Sequence, residues 1–218
     1  MTFVVAEIGV NWDGDFDLVN KMISNAKQIG CNAVKFQSFN EEIVKDSPQK
    51  ERLLKSSIRE DNINEIDKIA KQNNIEWFST PMYSDAVEFL EPFVRRFKLR
   101  FHDGLPLLEN KTTELFEKII ATKKQVIISS QANPKNSKFY NHEQIKWLYV
   151  VPKYPCEIED VDFSKINEFD GYSNHCPQTI VPLTAAILGS KIIEVHVTDD
   201  KKKDFLDNQV SFEFHELE

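Results

Sequence analysis

Eight strand-like runs alternate along this chain with segments of helical period, and no other feature restricts the fold as strongly. The runs are FVVAEIG from Phe3, NAVKFQ from Asn32, IEWFSTP from Ile75, RFKLRF from Arg96, QVIISS from Gln125, IKWLYVV from Ile145, GYSNH from Gly171 and IIEVHVT from Ile192. Helical period marks 18–28, 63–72, 85–90, 113–122 and 177–188, whereas 160–169 reads as only a short helix and 133–141 as loop. Strands separated by crossover segments pair in parallel. Eight of them predict an α/β fold, a (β/α)8 TIM barrel spanning 1–218 as one domain. A doubly wound open sheet is the alternative, and the GxGxxG that would follow its first strand is missing.

Composition narrows the function. A net charge of −8 argues against a nucleic-acid footprint or an anionic membrane surface as partner. Cys31, Cys156 and Cys176 form no CxxC pair and read as reduced thiols of a cytoplasmic protein. Glu7 interrupts the apolar N-terminal run, which therefore reads as a first strand and not as a signal peptide.

In such a barrel the chemistry belongs at the C-terminal strand ends. These ends carry Glu7, Asn11, Lys35, Gln37, Ser79, Thr80, Lys98, Arg100, His102, Asp103, Ser129, Gln131, Lys153, Tyr154, Ser173, His175, Glu194 and His196. Parallel strands joined by a helix deliver His175 and His196 to one rim although they lie 21 positions apart. Imidazoles converging beside carboxylates suit a divalent metal, and two unrelated strand-end histidines are the alternative. Lys35 and Lys98 interrupt apolar strands, with Arg100 two residues beyond Lys98 and so predicted on the same face. An acidic protein that gathers these cations at one rim is suited to a phosphate or carboxylate, although each lysine singly could serve a neighbour such as Glu7.

The ordered series AEIGVNWDGD from Ala6, AVKFQ from Ala33, WFSTPMYSDAVEFL from Trp77, VIISS from Val126, YPCEIED from Tyr154, GYSNH and IIEVHVT resembles the successive motifs of the sialic acid synthase family. That family includes N-acetylneuraminate, legionaminate and pseudaminate synthases, and the resemblance is colinear over nearly the whole chain. It implies condensation of phosphoenolpyruvate with an N-acetylated amino sugar to a nonulosonic acid, with phosphate released. A divalent metal, usually manganese with magnesium as the alternative, would assist, held by His175 and His196. By position, phosphoenolpyruvate contacts fall on Lys35, Lys98, Ser129 and Ser173, and an acid/base or water-orienting carboxylate on Glu7. Sugar contacts fall on Gln37, Tyr154 and Asp207, and Thr80 is the threonine of the STP motif. Glu7, Lys35, Lys98 and Tyr154 are the expected catalytic set, with Arg100 added to the substrate-binding residues.

Several positions depart from the pattern. Trp12 replaces a rim histidine and, with Trp77 and Trp147, is expected in the core, while Asn174 replaces an aspartate and Pro152 a polar sugar contact. In KLRFHDG, Arg100 and His102 stand where the family has glycines, and Phe101 where it has a phosphate-binding serine. Arginine fills space that glycine leaves to the ligand, so the anion is either held by guanidinium or blocked. The eighth barrel helix and the family's C-terminal antifreeze-like domain are not expected within these 218 residues. The apolar flank that this leaves is expected to be covered by a second subunit, as a homodimer, or by the chain's own tail. Two other readings stay open: a barrel with a changed acceptor or reaction, and a non-catalytic sugar- or partner-binding relative.

Overall fold

The computed structural model describes all 218 residues. The elements, in chain order, are β1 (Phe3–Gly9), α1 (Phe16–Gln28), β2 (Ala33–Ser38), α2 (Glu41–Val44), α3 (Lys50–Ser56), α4 (Ile63–Gln72), β3 (Glu76–Pro81), α5 (Ala86–Leu90), β4 (Arg96–Leu99), α6 (Phe101–Leu108), α7 (Glu114–Ala121), β5 (Gln125–Ser130), β6 (Ile145–Val150), β7 (Gly171–Asn174), α8 (Ile180–Ile187), β8 (Ile192–Thr198) and β9 (Phe212–Glu213). Strands β1 to β8 pair in sequence order, all in parallel, and β1 also pairs with β8, which closes the barrel. The fold is the (β/α)8 barrel that the alternation predicts.

Local chemistry explains the elements. Asp15 caps α1 by accepting from the amides of Asp17 and Leu18, and Val19, Met22, Ile23 and Ala26 make its buried stripe. In α4 the buried set is Ile63, Ile66, Ile69 and Ala70, again one helical face. Thr113 caps α7 through the Phe116 amide. Outward-facing strand residues such as Val34, Phe36 and Trp77 pack under these helices in one continuous core.

The alternation is not strict on one side. Between β5 and β6 the chain makes only a 3-10 turn at Pro134–Asn136, and between β6 and β7 only the turns Ile158–Asp160 and Phe163–Glu168. Aromatic bulk takes the place of a helix there: the Tyr149 ring lies 5.5 Å from Phe169 and 5.9 Å from Tyr172.

One expectation is corrected. Strand four ends at Leu99, and Phe101–Leu108 is helical, so RFKLRF is not one strand. The turn is local in origin, because Arg100 is extended and pairs with Asp103 three residues on, which the helix brings onto one face. Trp12 belongs to the core, as its type predicts. It is fully buried, donates its indole N–H to the Ser56 carbonyl, and packs against Phe16 and Phe36 beneath the α2–α3 insertion.

After β8 the chain forms a 3-10 turn at Asn208–Val210, the short strand β9 parallel to β8, and a further turn at Phe214–Glu216. Val210, Phe212 and Phe214 are buried, so the tail covers part of the flank. Ile180, Leu183 and Ile187 of α8 remain 49%, 55% and 76% exposed.

Gly171 marks the closest approach of β7 to β8. A Cβ there would lie 1.9 Å from the Ile192 carbonyl oxygen, which is backbone and has nowhere to go. Gly171→Ala is therefore expected to lower stability by about 3 kcal/mol or more, or to prevent folding. Urea unfolding checks this, and a wild-type midpoint would refute the close approach.

Candidate active site

The C-terminal mouth of the barrel opens into a cavity of about 320 Å³. Its floor is a buried ion cluster that barrel closure assembles. Glu7 on β1 stands in register with Lys35 on β2 and with His196 on β8. Glu194 on β8 stands opposite Ser173 on β7. Lys35 Nζ lies 2.8 Å from Glu7 Oε2 and 3.8 Å from Glu194 Oε2, and Lys98 Nζ lies 3.8 Å from Glu194 Oε1. None of these four residues is more than 4% exposed.

Neutral side chains hold the cluster in place. Gln37 donates to Glu7 Oε1 at 2.9 Å, Lys35 to Thr80 Oγ1 at 3.1 Å, Lys98 to Ser129 Oγ at 2.6 Å and Ser173 to Glu194 Oε1 at 3.0 Å. The residues that sequence places as substrate contacts thus orient the charged groups. Glu194 Oε2 is buried without a hydrogen-bonding partner, its nearest cation being Lys35 at 3.8 Å. A buried carboxylate oxygen left in this state can accept from a ligand or a water.

Burial and neighbours push the cluster's protonation apart. Burial, reinforced by Glu194, raises the Glu7 pKa even against Lys35. Burial also opposes the charge on Glu194, but Lys35 and Lys98 overcome it and hold that carboxyl below its ordinary value. Lys35 is held up by Glu194 and Glu7 despite burial, whereas burial brings Lys98 down to about 8. One carboxyl whose proton affinity is raised beside one whose proton affinity is lowered is a division suited to acid–base chemistry.

The two predicted imidazoles meet above this floor, with ring centroids 5.7 Å apart. His175 lies just beyond the end of β7, and its Nδ1 is 3.0 Å from the Val151 carbonyl, so that nitrogen carries the proton and Nε2 is free to accept. Burial and His196 lower its pKa to about 4, which leaves it neutral at pH 7. His196 Nδ1 is 3.5 Å from Asp207 Oδ2, at the outer limit of a hydrogen bond, and buried without a better partner. Burial works to lower the His196 pKa, but Asp207 and Glu7 raise it. Tyr154 stands edge-on to both rings, 4.9 Å from His175 and 5.7 Å from His196.

Buried imidazole nitrogens with lone pairs available fit a divalent metal as donors. No group of three or more His, Cys, Asp or Glu side chains converges, so such a metal would complete its shell with substrate or water oxygen.

Asp207 reaches the cavity on the loop after β8. Its amide donates to Asn11 Oδ1, while Asn11 Nδ2 donates to the Val197 carbonyl and Ser211 Oγ. Asn11 is thus a positioning residue, not a cavity contact. Gly9 is a second one that sequence reading missed: its φ is +55°, and a Cβ would meet Glu7 Oε1 at 3.1 Å and Asp207 Oδ2 at 3.2 Å. Its one sequence signal is a glycine ending the first strand. Glu194, absent from the expected catalytic set, is the hub that links both lysines.

Other rim candidates fall outside the cavity. Lys153 is an exposed partner of Asp160, Ser79 faces outward to Ser38, and Gln131 is exposed. Arg100 does line the cavity, with Phe101 and His102, but at its mouth and not on the strand face of Lys98.

The NeuB family model matches residues 22–218. An uncharacterized protein of Methanocaldococcus jannaschii is 30% identical over 96% of this chain and 66% of its own length. The N,N'-diacetyllegionaminic acid synthase of Campylobacter jejuni is 28% identical over 99% of this chain and 73% of its own. Among solved structures, the N-acetylneuraminic acid synthetase of Leptospira borgpetersenii serovar Hardjo-bovis superposes with a TM-score of 0.85 at 26% identity, covering 99% of this chain and 80% of that one. This chain therefore spans about two thirds of the length of the first of these relatives.

The depressed Lys98 has a consequence for stability. In the unfolded chain it keeps its ordinary value of 10.5, whereas in the folded chain it titrates near 8, so between those values the unfolded state holds the extra proton and stability rises with pH. The unfolding free energy of wild type should rise relative to that of Lys98→Met by about 3 kcal/mol between pH 8 and 10.5. Chemical denaturation across that range measures it, and a difference that does not change with pH would contradict the desolvation of Lys98.

Proposed function

The chain belongs to the NeuB family, and from that premise we propose that it condenses phosphoenolpyruvate with the open-chain aldehyde of an N-acetylated amino sugar, releasing phosphate and forming a nonulosonic acid. The observation that carries this reading is the paired floor, Lys35 and Lys98 beside Glu7 and Glu194, facing the imidazole pair across one cavity. The donor brings a phosphate and a carboxylate, for which Lys35, Lys98 and the hydroxyls of Ser129 and Ser173 are suitable partners. Gln37, Thr80, Tyr154 and Asp207 are assigned to the sugar side and to holding the charged groups in register. The enol carbon bonds to the aldehyde carbon, water adds to the cationic centre left behind, and the carbon–oxygen bond to phosphate breaks.

Glu7, with its raised pKa, is assigned to orient that water and accept its proton. Desolvation of the Tyr154 hydroxyl at the cavity wall, with Asp207 beside it, raises its pKa further above the ordinary value, so that hydroxyl stays protonated as a hydrogen-bond donor. A divalent metal, most simply manganese, would be held by His175 and His196 and supply Lewis-acid polarisation of the aldehyde oxygen. The three free thiols, with an intracellular donor such as phosphoenolpyruvate, support a cytoplasmic setting. The exposed α8 face supports a homodimer.

A changed acceptor is the second reading, favoured by the apolar part of the cavity wall, where Met82, Phe101, Val150 and Pro152 stand.

Phosphate release from phosphoenolpyruvate with manganese, measured with and without a panel of N-acetylated hexosamines, tests the proposal. Release is expected only with a sugar and should vanish in His196→Ala. Glu7→Gln should lower kcat about 100-fold with little change in KM. Release with no sugar in the panel, but with another aldehyde, would establish the second reading. No release at all from folded protein would refute both enzymatic readings. In sedimentation velocity, Ile187→Glu is expected to convert a dimer to a monomer, and a wild-type monomer would remove the homodimer from the proposal.

A further inference from the structure

The cations of the cavity floor are already committed. Lys35 is paired with Glu7, and Glu194 lies within reach of both lysines. Counting the whole lining, three carboxylates, Glu7, Glu194 and Asp207, face three cations, Lys35, Lys98 and Arg100. A ligand with phosphate and carboxylate groups thus meets no surplus of positive charge on the floor. The one lining cation outside the cluster is Arg100.

Its present engagement is local. Arg100 Nε is 2.5 Å and Nη2 3.4 Å from the Asp103 carboxylate, while Nη1 finds only the Met82 thioether sulfur at 3.4 Å, a weak acceptor. The Arg100 side chain is 39% exposed, so it can move without disturbing the core. Arg100 is also the residue before α6, no side chain caps that helix, and Phe101 and His102, which open it, line the cavity. The first amide N–H groups of a helix lack intrahelical acceptors and favour an anion.

Resting on the reading of the cavity as a phosphoenolpyruvate site, we infer that Arg100 is the specificity-determining cation at its mouth: it exchanges Asp103 for the charged end of the anionic donor, and Asp103 sets the affinity by competing for the guanidinium. Arg100 does not block the site. A fork that is held by one carboxylate presents the geometry that a phosphate or a second carboxylate needs. The exchange breaks one charge-assisted pair and makes another, so its net effect is tuned by the strength of the pair that is broken. Lys98 and the α6 amides then meet the same anion from the inner side.

The experiment is calorimetric titration of the full chain with phosphoenolpyruvate and, separately, with inorganic phosphate, comparing wild type with Arg100→Gly, Arg100→Lys, Asp103→Asn and Lys98→Ala. Circular dichroism confirms that each is folded. Arg100→Gly should weaken phosphoenolpyruvate about tenfold, Arg100→Lys less, and Asp103→Asn should tighten it severalfold. If Arg100→Gly binds as well as wild type or better, while Lys98→Ala loses binding, the inference is overturned and the phosphoenolpyruvate reading stands. If wild type binds phosphate with the same dependence on Arg100, and phosphoenolpyruvate no better than phosphate, the anion role of Arg100 stands and the donor assignment falls. If wild type binds neither probe, both fall.

Discussion

The pairing of β1 with β8 is the constraint on which the site depends. It closes the barrel, and by closing it sets Glu7 beside His196 and brings Glu194 within reach of Lys35 and Lys98. Four ionisable side chains, each almost wholly buried, are expensive to remove from water and tolerable only because each faces an opposite charge. Well-packed apolar residues would stabilise the same barrel at least as well. The cluster is therefore best understood as chemistry that the fold tolerates, and the unpartnered Glu194 Oε2 points the same way.

Around this rigid floor the upper wall is assembled from loops, each tied down by a different device. Asn11 ties the Asp207 loop to the end of β8 through the Val197 carbonyl. Arg52 links the α2–α3 insertion to Asp13 and to the Asp204 backbone, joining two rim loops at the surface. Arg100 is the exception, held by one neighbour on its own helix and exposed to solvent. A floor fixed by strand register under a rim that can adjust is a common arrangement for a barrel that must admit a large polar substrate and then hold it.

Much of this could be read from residue order. The helical segments fall within a few residues of their predicted bounds, and α4 coincides with its prediction, because the spacing of Ile63, Ile66 and Ile69 leaves only one face to bury. His175 and His196 could be brought together on paper because a parallel β–α–β unit delivers both strand ends to one rim, and the structure does so. Arg100 could not be placed correctly. RFKLRF alternates well enough to read as a strand, but the ion pair of Arg100 with Asp103 and the apolar residues that follow favour a helix from Phe101. Trp12 could be read as core from its type, but nothing in its neighbourhood announces that the distant α2–α3 insertion will fold over it and accept its N–H.

By itself the sequence determined the barrel, the helix faces, and which charged and imidazole side chains stand at strand ends, since all of these follow from periods of two and 3.6 along a local stretch of chain. Only the tertiary structure decided which of the charged groups join the imidazole pair in one site. Glu194 became the hub of two lysines, Gly9 came to lie against both Glu7 and Asp207, and Lys153 was sent to the surface. The physical reason is that proximity across the barrel is set by strand register and closure, and burial, which shifts the proton affinity of Lys98 and Glu7, exists only once all eight strands have met.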